Sequence, residues 1–290
     1  MKFTLFLYSV MAFSLMLPLG AKAGMDKSEL LIADLNTAHG IQVSRISGRD
    51  SYNNQPYVTK EGVYFTHEVI NEQGESQTDI VFYDFKTQQT TNFSNSEVSE
   101  YSPTLIPNGD KLSAIVVEAD GKQKLWHYPL KSTQAPKRIF EWIEPVGYHA
   151  WGADNDLVMF ILGDPHTLQY TTIAAAQPKV VAENIGRSLV FAAKKRQFIF
   201  SYYRDNQHWL ASFSAQSSQT QDLFRLPGNV QYFALKDDNT LIYALGQRIY
   251  QRKLSEPKAV SLWLDLSRYC DTTISRLSYA KQKLAFVCDK

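Results

Sequence analysis

The chain has 290 residues, 44% of them hydrophobic and 13% aromatic, with 30 basic and 29 acidic side chains and a net charge of +1. That balance argues against nucleic acid as a partner, because a polyanion demands a clearly basic face. The longest basic cluster, Lys194-Lys195-Arg196, falls where a hairpin turn is expected and reads as a solvated turn.

The first element is a leader. Met1-Lys2 precedes an apolar run from Phe3 to Leu19, and Ala21-Lys22-Ala23 precedes Gly24, the charged, apolar and small-residue order of a secretory signal. Residues 1–23 are expected to be removed, leaving 24–290 as one domain that is periplasmic or secreted. A membrane anchor is the competing reading, although the run is near the short limit for spanning and meets the cleavage pattern at once. No later stretch is apolar enough to cross a bilayer. Cleavage takes Lys2 and Lys22 and no acid, which tips the charge slightly negative.

Next comes Leu31-Ile32-Ala33-Asp34-Leu35-Asn36-Thr37, whose order matches Val81-Phe82-Tyr83-Asp84-Phe85-Lys86-Thr87. The match makes residues 29–46 an outer half-blade; an amphipathic helix capped at Ser28 is the alternative. From there one two-part phrase runs through the chain. Its first half, a turn and a short apolar strand, is marked by Val63, Leu112, Leu157, Phe198, Leu241 and Leu284. Its second half is marked by Leu35, Phe85, Leu130, Ile173, Phe213 and Leu254. Both rows repeat at intervals of roughly 40 to 50 residues, the period of propeller blades. Strands such as Leu157-Val158-Met159-Phe160-Ile161-Leu162 are short and bounded by turn residues, which favours strand over helix. Turns fall at Pro107-Asn108-Gly109-Asp110, Ala153-Asp154-Asn155-Asp156 and Asp237-Asp238-Asn239, residue types that accept tight or left-handed backbone.

An outer half comes first and an inner half last, so the expected fold is an all-β six-bladed propeller closed by pairing residues 29–46 with 272–288. Closure removes the sheet edges that would otherwise recruit other chains, and a monomer is expected. Cys270 and Cys288, the only cysteines, fall at one end of the last hairpin. In an oxidising compartment they are expected to form a disulfide, contributing roughly 3 kcal/mol in the chain-entropy account. A metal or redox pair is the alternative, with no nearby histidine to support it.

The segment Ser102-Pro103-Thr104-Leu105-Ile106-Pro107-Asn108-Gly109-Asp110-Lys111-Leu112-Ser113-Ala114-Ile115 resembles the serine-proline, aspartate-glycine-lysine and apolar-strand phrase of WD40-like repeats in the TolB-like family. Glu61-Gly62, Lys194-Lys195 and Gln282-Lys283 hold the same place in degenerate form. The resemblance spans residues 29–289 as a pattern and is specific in one blade. It implies an exported propeller that holds partners on its face or in its channel; the chain departs from TolB in having no expected room for the extra N-terminal domain, since the half-blade begins almost at the expected mature terminus.

The chemistry is sparse. There is no Gly-x-Ser-x-Gly nucleophile elbow, and His67-Glu68-Val69-Ile70-Asn71 lacks the second histidine of the helical zinc motif. The remaining histidines, His39, His127, His149, His166 and His208, have no ligand spacing, so no metal or other cofactor is expected. Aromatic residues and arginine recur in segments leading into the inner strands, and such side chains anchor binding surfaces. The candidate partner-binding residues are Tyr52, Tyr101, Glu144, Tyr148, His149, Arg187, Tyr232 and Tyr269. Interblade packing with hydroxyls at the rim is the competing role for the tyrosines. The leading function is a non-catalytic binding or scaffold module for a protein or peptide partner in the cell envelope. One alternative is a channel enzyme of lactonase or glycosidase type using Glu100, Glu144 and Asp271. The other is a sensor or accessory subunit of an envelope membrane complex.

Overall fold

The computed structural model describes residues 25–290 apart from 39, 108, 132, 133, 176 and 229. The expected leader and His39 lie outside the described residues. Twenty-four strands form six four-stranded sheets. The chain opens with β1 (Ser28–Asp34) and β2 (Gln42–Arg45). Blade 1 is β3 (Asn53–Val58), β4 (Gly62–Ile70), β5 (Ser76–Asp84) and β6 (Thr90–Asn92). Blade 2 is β7 (Ser99–Leu105), β8 (Lys111–Val117), β9 (Gln123–Pro129) and β10 (Lys137–Arg138). Blade 3 is β11 (Val146–Trp151), β12 (Asp156–Ile161), β13 (Thr167–Thr172) and β14 (Lys179–Glu183). Blade 4 is β15 (Ile185–Ala192), β16 (Gln197–Arg204), β17 (Gln207–Ser214) and β18 (Gln219–Arg225). Blade 5 is β19 (Phe233–Asp237), β20 (Thr240–Leu245), β21 (Arg248–Lys253) and β22 (Val260–Asp265). The chain ends on β23 (Ile274–Ala280) and β24 (Lys283–Asp289).

The sixth sheet has the order β2-β1-β24-β23, so the two ends complete one blade. β1 lies antiparallel to β24, with Leu31 opposite Phe286 and Ala33 opposite Leu284. The seam joins strands as regular as any in the ring. β1 is a strand, which sets aside the helix capped at Ser28. The innermost strands abut in sequence, β3 on β7, then β11, β15, β19 and β23, which returns to β3.

Six apolar clusters fill the six interfaces between blades. This explains the repeated phrase. The first row of markers sits on the second strand of each blade, where every sheet has a neighbour on both edges and both faces, and Val63, Leu112, Leu157, Leu241 and Leu284 are fully buried. The innermost strands are more polar because one edge faces the channel. Cys270 and Cys288 are joined with their Cα atoms 5.8 Å apart. The disulfide ties the segment before β23 to the end of β24 and sits in the core between blade 5 and the closing blade.

Candidate functional site

Every inner strand starts at the same end of the ring, and there each blade places one side chain at an equivalent position; five of the six line one opening, while Tyr101 packs against the core between blades 2 and 3. Gln55, Tyr101, Tyr148, Arg187 and Arg276 are the third residues of β3, β7, β11, β15 and β23, and Tyr232 lies just ahead of β19. The backbone is irregular at this level. Pairing with the second strand shifts register between Asn54 and Tyr57, Tyr101 and Thr104, Val146 and Tyr148, Ile185 and Leu189, and Ile274 and Arg276. Bulges of this kind re-aim a side chain and bend the strand. Gln55 and Ser102 hold positive φ of 53° and 56°, a conformation that costs a non-glycine residue about 1 to 2 kcal/mol. At Gly147 and Gly186 a Cβ would lie 2.9 Å from the Phe160 ring and 2.2 Å from Ser201 Oγ. The residue before Tyr148 and the residue before Arg187 therefore sit too close to the second strand to carry a side chain.

The ring is cross-linked through its polar tips. Arg276 Nη2 donates to the Tyr148 hydroxyl at 3.0 Å, and blades 3 and 6 are opposite in a ring of six, so this bond spans the opening. The same guanidinium lies 3.7 Å from the centroid of the Tyr232 ring and 5.2 Å from that of Tyr148. Arg187 Nη1 reaches the Tyr232 hydroxyl at 3.5 Å. Gln55 Oε1 accepts from Thr66 Oγ1 at 2.7 Å and from the Ser102 backbone amide at 3.0 Å. Tyr52 lies within electrostatic range of Arg276, Tyr148, Tyr101 and Tyr232, and burial holds its phenol well above the ordinary range. Tyr148 behaves oppositely. Burial pushes its phenol up, yet Arg276, Arg187 and Gln55 outweigh that and hold it below its ordinary value. The opening therefore carries a positive field.

Below the ring lies a cavity of about 590 Å³, within the size range of small-ligand sites. Its walls include Leu105, Ile106, Val190, Phe191, Ala234 and Leu235, and its described lining contains Arg187 and Arg276 but no aspartate or glutamate.

Of the eight sequence candidates, Tyr148, His149, Arg187 and Tyr232 line the cavity, Tyr52 and Tyr101 stand near it, and Glu144 and Tyr269 lie elsewhere. His149 follows Tyr148 on β11 and points to the other face. Ser113 Oγ donates to the Thr104 carbonyl at 2.9 Å and accepts from Trp151 Nε1 at 2.8 Å. Its contact with His149 Nε2 at 2.7 Å then places the imidazole proton on that nitrogen. Nδ1 is buried with no partner among the described residues, and burial pulls the imidazole down to about 3. His149 is a neutral core residue that backs the cavity wall. Glu144 is tied to Lys122 at 3.0 Å and Lys124 at 2.9 Å. Tyr269 sits in the turn before β23, where its backbone amide bonds the Leu266 carbonyl and its ring is 38% exposed.

Gln55 and Arg276 were missed. A signal for Arg276 existed: Ile274-Ser275-Arg276 has the form of Val146-Gly147-Tyr148, Ile185-Gly186-Arg187 and Val230-Gln231-Tyr232, so aligning the repeats on this triplet would have found it. Gln55, in Asn53-Asn54-Gln55, carries no such mark.

No known protein-family profile matches the chain, and no curated protein matches it in sequence. Solved structures do match in shape. A protein described as a TolB from Agrobacterium tumefaciens superposes with a TM-score of 0.71 at 10% identity, covering 92% of this chain and 99% of that one. The fold is that of a TolB-like six-bladed propeller. TolB from Acinetobacter baumannii matches at 0.59 and 12% identity over 79% of this chain and 61% of its own. A protein described as a gluconolactonase matches at 0.60 and 11% identity, covering 89% of this chain and 94% of that one. The propeller thus houses proteins of different function, and fold alone does not choose among them.

Proposed function

We propose that this chain is an exported, non-catalytic propeller that holds a protein or peptide partner of the cell envelope at the channel opening. The observation that carries this reading is the cluster of Gln55, Tyr148, Arg187, Tyr232 and Arg276, from five of the six blades, lining one cavity. Aromatic rings and arginines supply large contact area with few rotors and several donors. The secretory order of residues 1–23 and the disulfide support export. No helix among the described residues is long and apolar enough to cross a membrane.

The channel-enzyme reading needs acids that meet around the axis. Glu100 is fully buried between blades 1 and 2, where it accepts from Ser94 Oγ at 3.0 Å and Tyr128 Oη at 3.1 Å. Glu144 is engaged by two lysines. Asp271 is exposed in the segment before β23. The three do not converge, which favours binding over hydrolysis. A photo-crosslinking side chain at Tyr101 or Tyr232, expressed in the native host, tests the proposal. A discrete captured species, lost when the other tyrosine becomes alanine in a protein that still unfolds cooperatively, is the expected result. Labelling no stronger than at an outer-rim position such as Trp142 overturns it.

A further inference from the structure

Among the described residues that line the opening, two are cationic and none is anionic. Arg187 and Arg276, like Arg225, Arg252 and Arg268, make no ion pair among the described residues, while the other six arginines do; Arg187 and Arg276 are the two unpaired arginines that line one cavity. Asp289 is close enough to feel Arg276, but its carboxylate accepts from Ser275 Oγ at 2.6 Å. Arginine carries five donors in a planar fork. The acceptors now facing these two forks are phenol oxygens, which are neutral and weak beside a carboxylate. Arg276 is half-buried and Arg187 exposed; a half-buried guanidinium without an ion-pair partner is costly, and here it stands at a cavity whose lining mixes apolar side chains with Ser102, Thr104, Ser188 and Ser278.

On the reading that the opening is a binding site, we infer that its ligand presents a carboxylate, received by Arg276 and Arg187, with an apolar body entering the cavity below. In the free protein the Tyr148 hydroxyl occupies the position of one carboxylate oxygen on Arg276. The ligand carboxylate displaces it and opens the bond that crosses the channel. Tyr232 keeps the Arg276 guanidinium in place by stacking, so the fork needs little reordering when the ligand arrives. The depressed phenol of Tyr148 agrees with an unneutralised positive site. The carboxylate could come from a free organic acid or from the C-terminus of a peptide.

Four probes separate these outcomes in calorimetry on the full-length mature protein: N-acetylphenylalanine, N-acetylphenylalanine amide, an acetylated tetrapeptide ending in phenylalanine with a free carboxylate, and inorganic phosphate. The acid is expected to bind at least about tenfold more tightly than its amide, the loss of one charge-assisted contact. Arg276→Gln and Arg187→Gln should each remove that preference. Tyr148→Phe should keep or strengthen it, because the competing hydroxyl is gone. Tyrosinate absorbance gives a second readout, since bound acid should raise the pH at which Tyr148 ionises, seen as the difference between the parent protein and Tyr148→Phe. Tighter binding of the tetrapeptide assigns the carboxylate to a chain terminus, and tighter binding of the single acid assigns it to a small molecule. Equal binding of acid and amide, a preference that survives both arginine substitutions, or phosphate binding more tightly than either acid overturns the inference. Crosslinking from Tyr101 and Tyr232 is independent of these probes: captured partner with no carboxylate preference leaves the binding function standing and removes only the carboxylate.

Discussion

Two buried carboxylates, one within the closing blade and one at the joint between blades 1 and 2, have surroundings that reverse their response to pH. At the seam, Glu29 on β1 is 4% exposed and receives Arg45 Nε at 2.5 Å and Arg49 Nε at 2.7 Å. Burial works against its charge, but the two guanidiniums outweigh it and hold the carboxyl below its ordinary value. Between blades 1 and 2, Glu100 is 0% exposed and has serine and tyrosine hydroxyls around it instead of arginine. Burial, with the nearby charge of Asp79, pushes it up to about 7 against hydrogen bonds from Ser96, Ser94 and Tyr128. A buried acid beside cations is held in its charged form, and one among hydroxyls is pushed toward its neutral form.

The largest effect should come from deleting the seam. Removing residues 24–46 strips β1 and β2 from the closing blade and exposes the whole length of β24 as an edge, together with the apolar faces of Phe286, Ala285 and Val287. An edge of that kind recruits other chains. Size-exclusion chromatography and thermal melts should show aggregation or loss of cooperative unfolding. A monomeric, cooperatively melting truncation would mean that the joint between the ends is dispensable.

At the blade 1–2 joint the sign can be read from pH. Glu100 has its folded pKa raised to about 7 from 4.5, so between those values the folded state binds more protons than the unfolded state and stability falls as pH rises. One pKa unit is about 1.4 kcal/mol, so between about pH 5 and about pH 8 the parent should lose roughly 2 kcal/mol at this residue. Glu100→Gln keeps the shape and one accepting oxygen and removes the titration. Denaturant unfolding at the two pH values should therefore show a smaller pH-dependent loss in the variant, and at the upper pH the variant should be the more stable protein. Equal pH slopes would show that Glu100 is already ionised in the folded state.

How much of this was legible in the sequence follows from what repeats. Blade number, order and closure were readable because each blade must bury both faces, which imposes the same apolar phrase on Leu112, Leu157, Leu241 and Leu284. The disulfide followed from two cysteines at one end of one hairpin. The opening was only partly legible, because its geometry depends on bulges that no residue type announces. Tyr148 and His149 are adjacent and aromatic, yet strand alternation sends one to the axis and the other into the core between blades 2 and 3. Glu144 is close in sequence to Tyr148, but Lys122 and Lys124 hold it away from the ring. Arg276 holds the same position in its strand as Arg187, the third residue of β23 and of β15, and only alignment of the repeats brings that out. Pairings such as Glu29 with Arg45 and Arg49 depend on strand register and loop path, and spacing in the chain does not encode them.

The smallest effect sharpens the comparison most. Glu29→Gln leaves the size of the seam residue unchanged and removes the charge that Arg45 and Arg49 share. Both arginines are about 40% exposed, so water takes up part of what they lose, and the expected cost near neutral pH is about 1 to 2 kcal/mol. The folded pKa of Glu29 is depressed, so its contribution is present above the ordinary value of 4.5 and is lost as pH falls through the folded value. Parent and variant should therefore converge in stability on acidification, whereas Glu100→Gln and its parent diverge as pH rises. Added salt should narrow the Glu29 gap, because its partners reach solvent, and leave the Glu100 gap nearly unchanged, because that carboxyl does not. Joint titration of the two variants in low and high salt checks both signs at once, and a Glu29 gap that persists below the folded pKa would place the role of Glu29 in packing instead of charge.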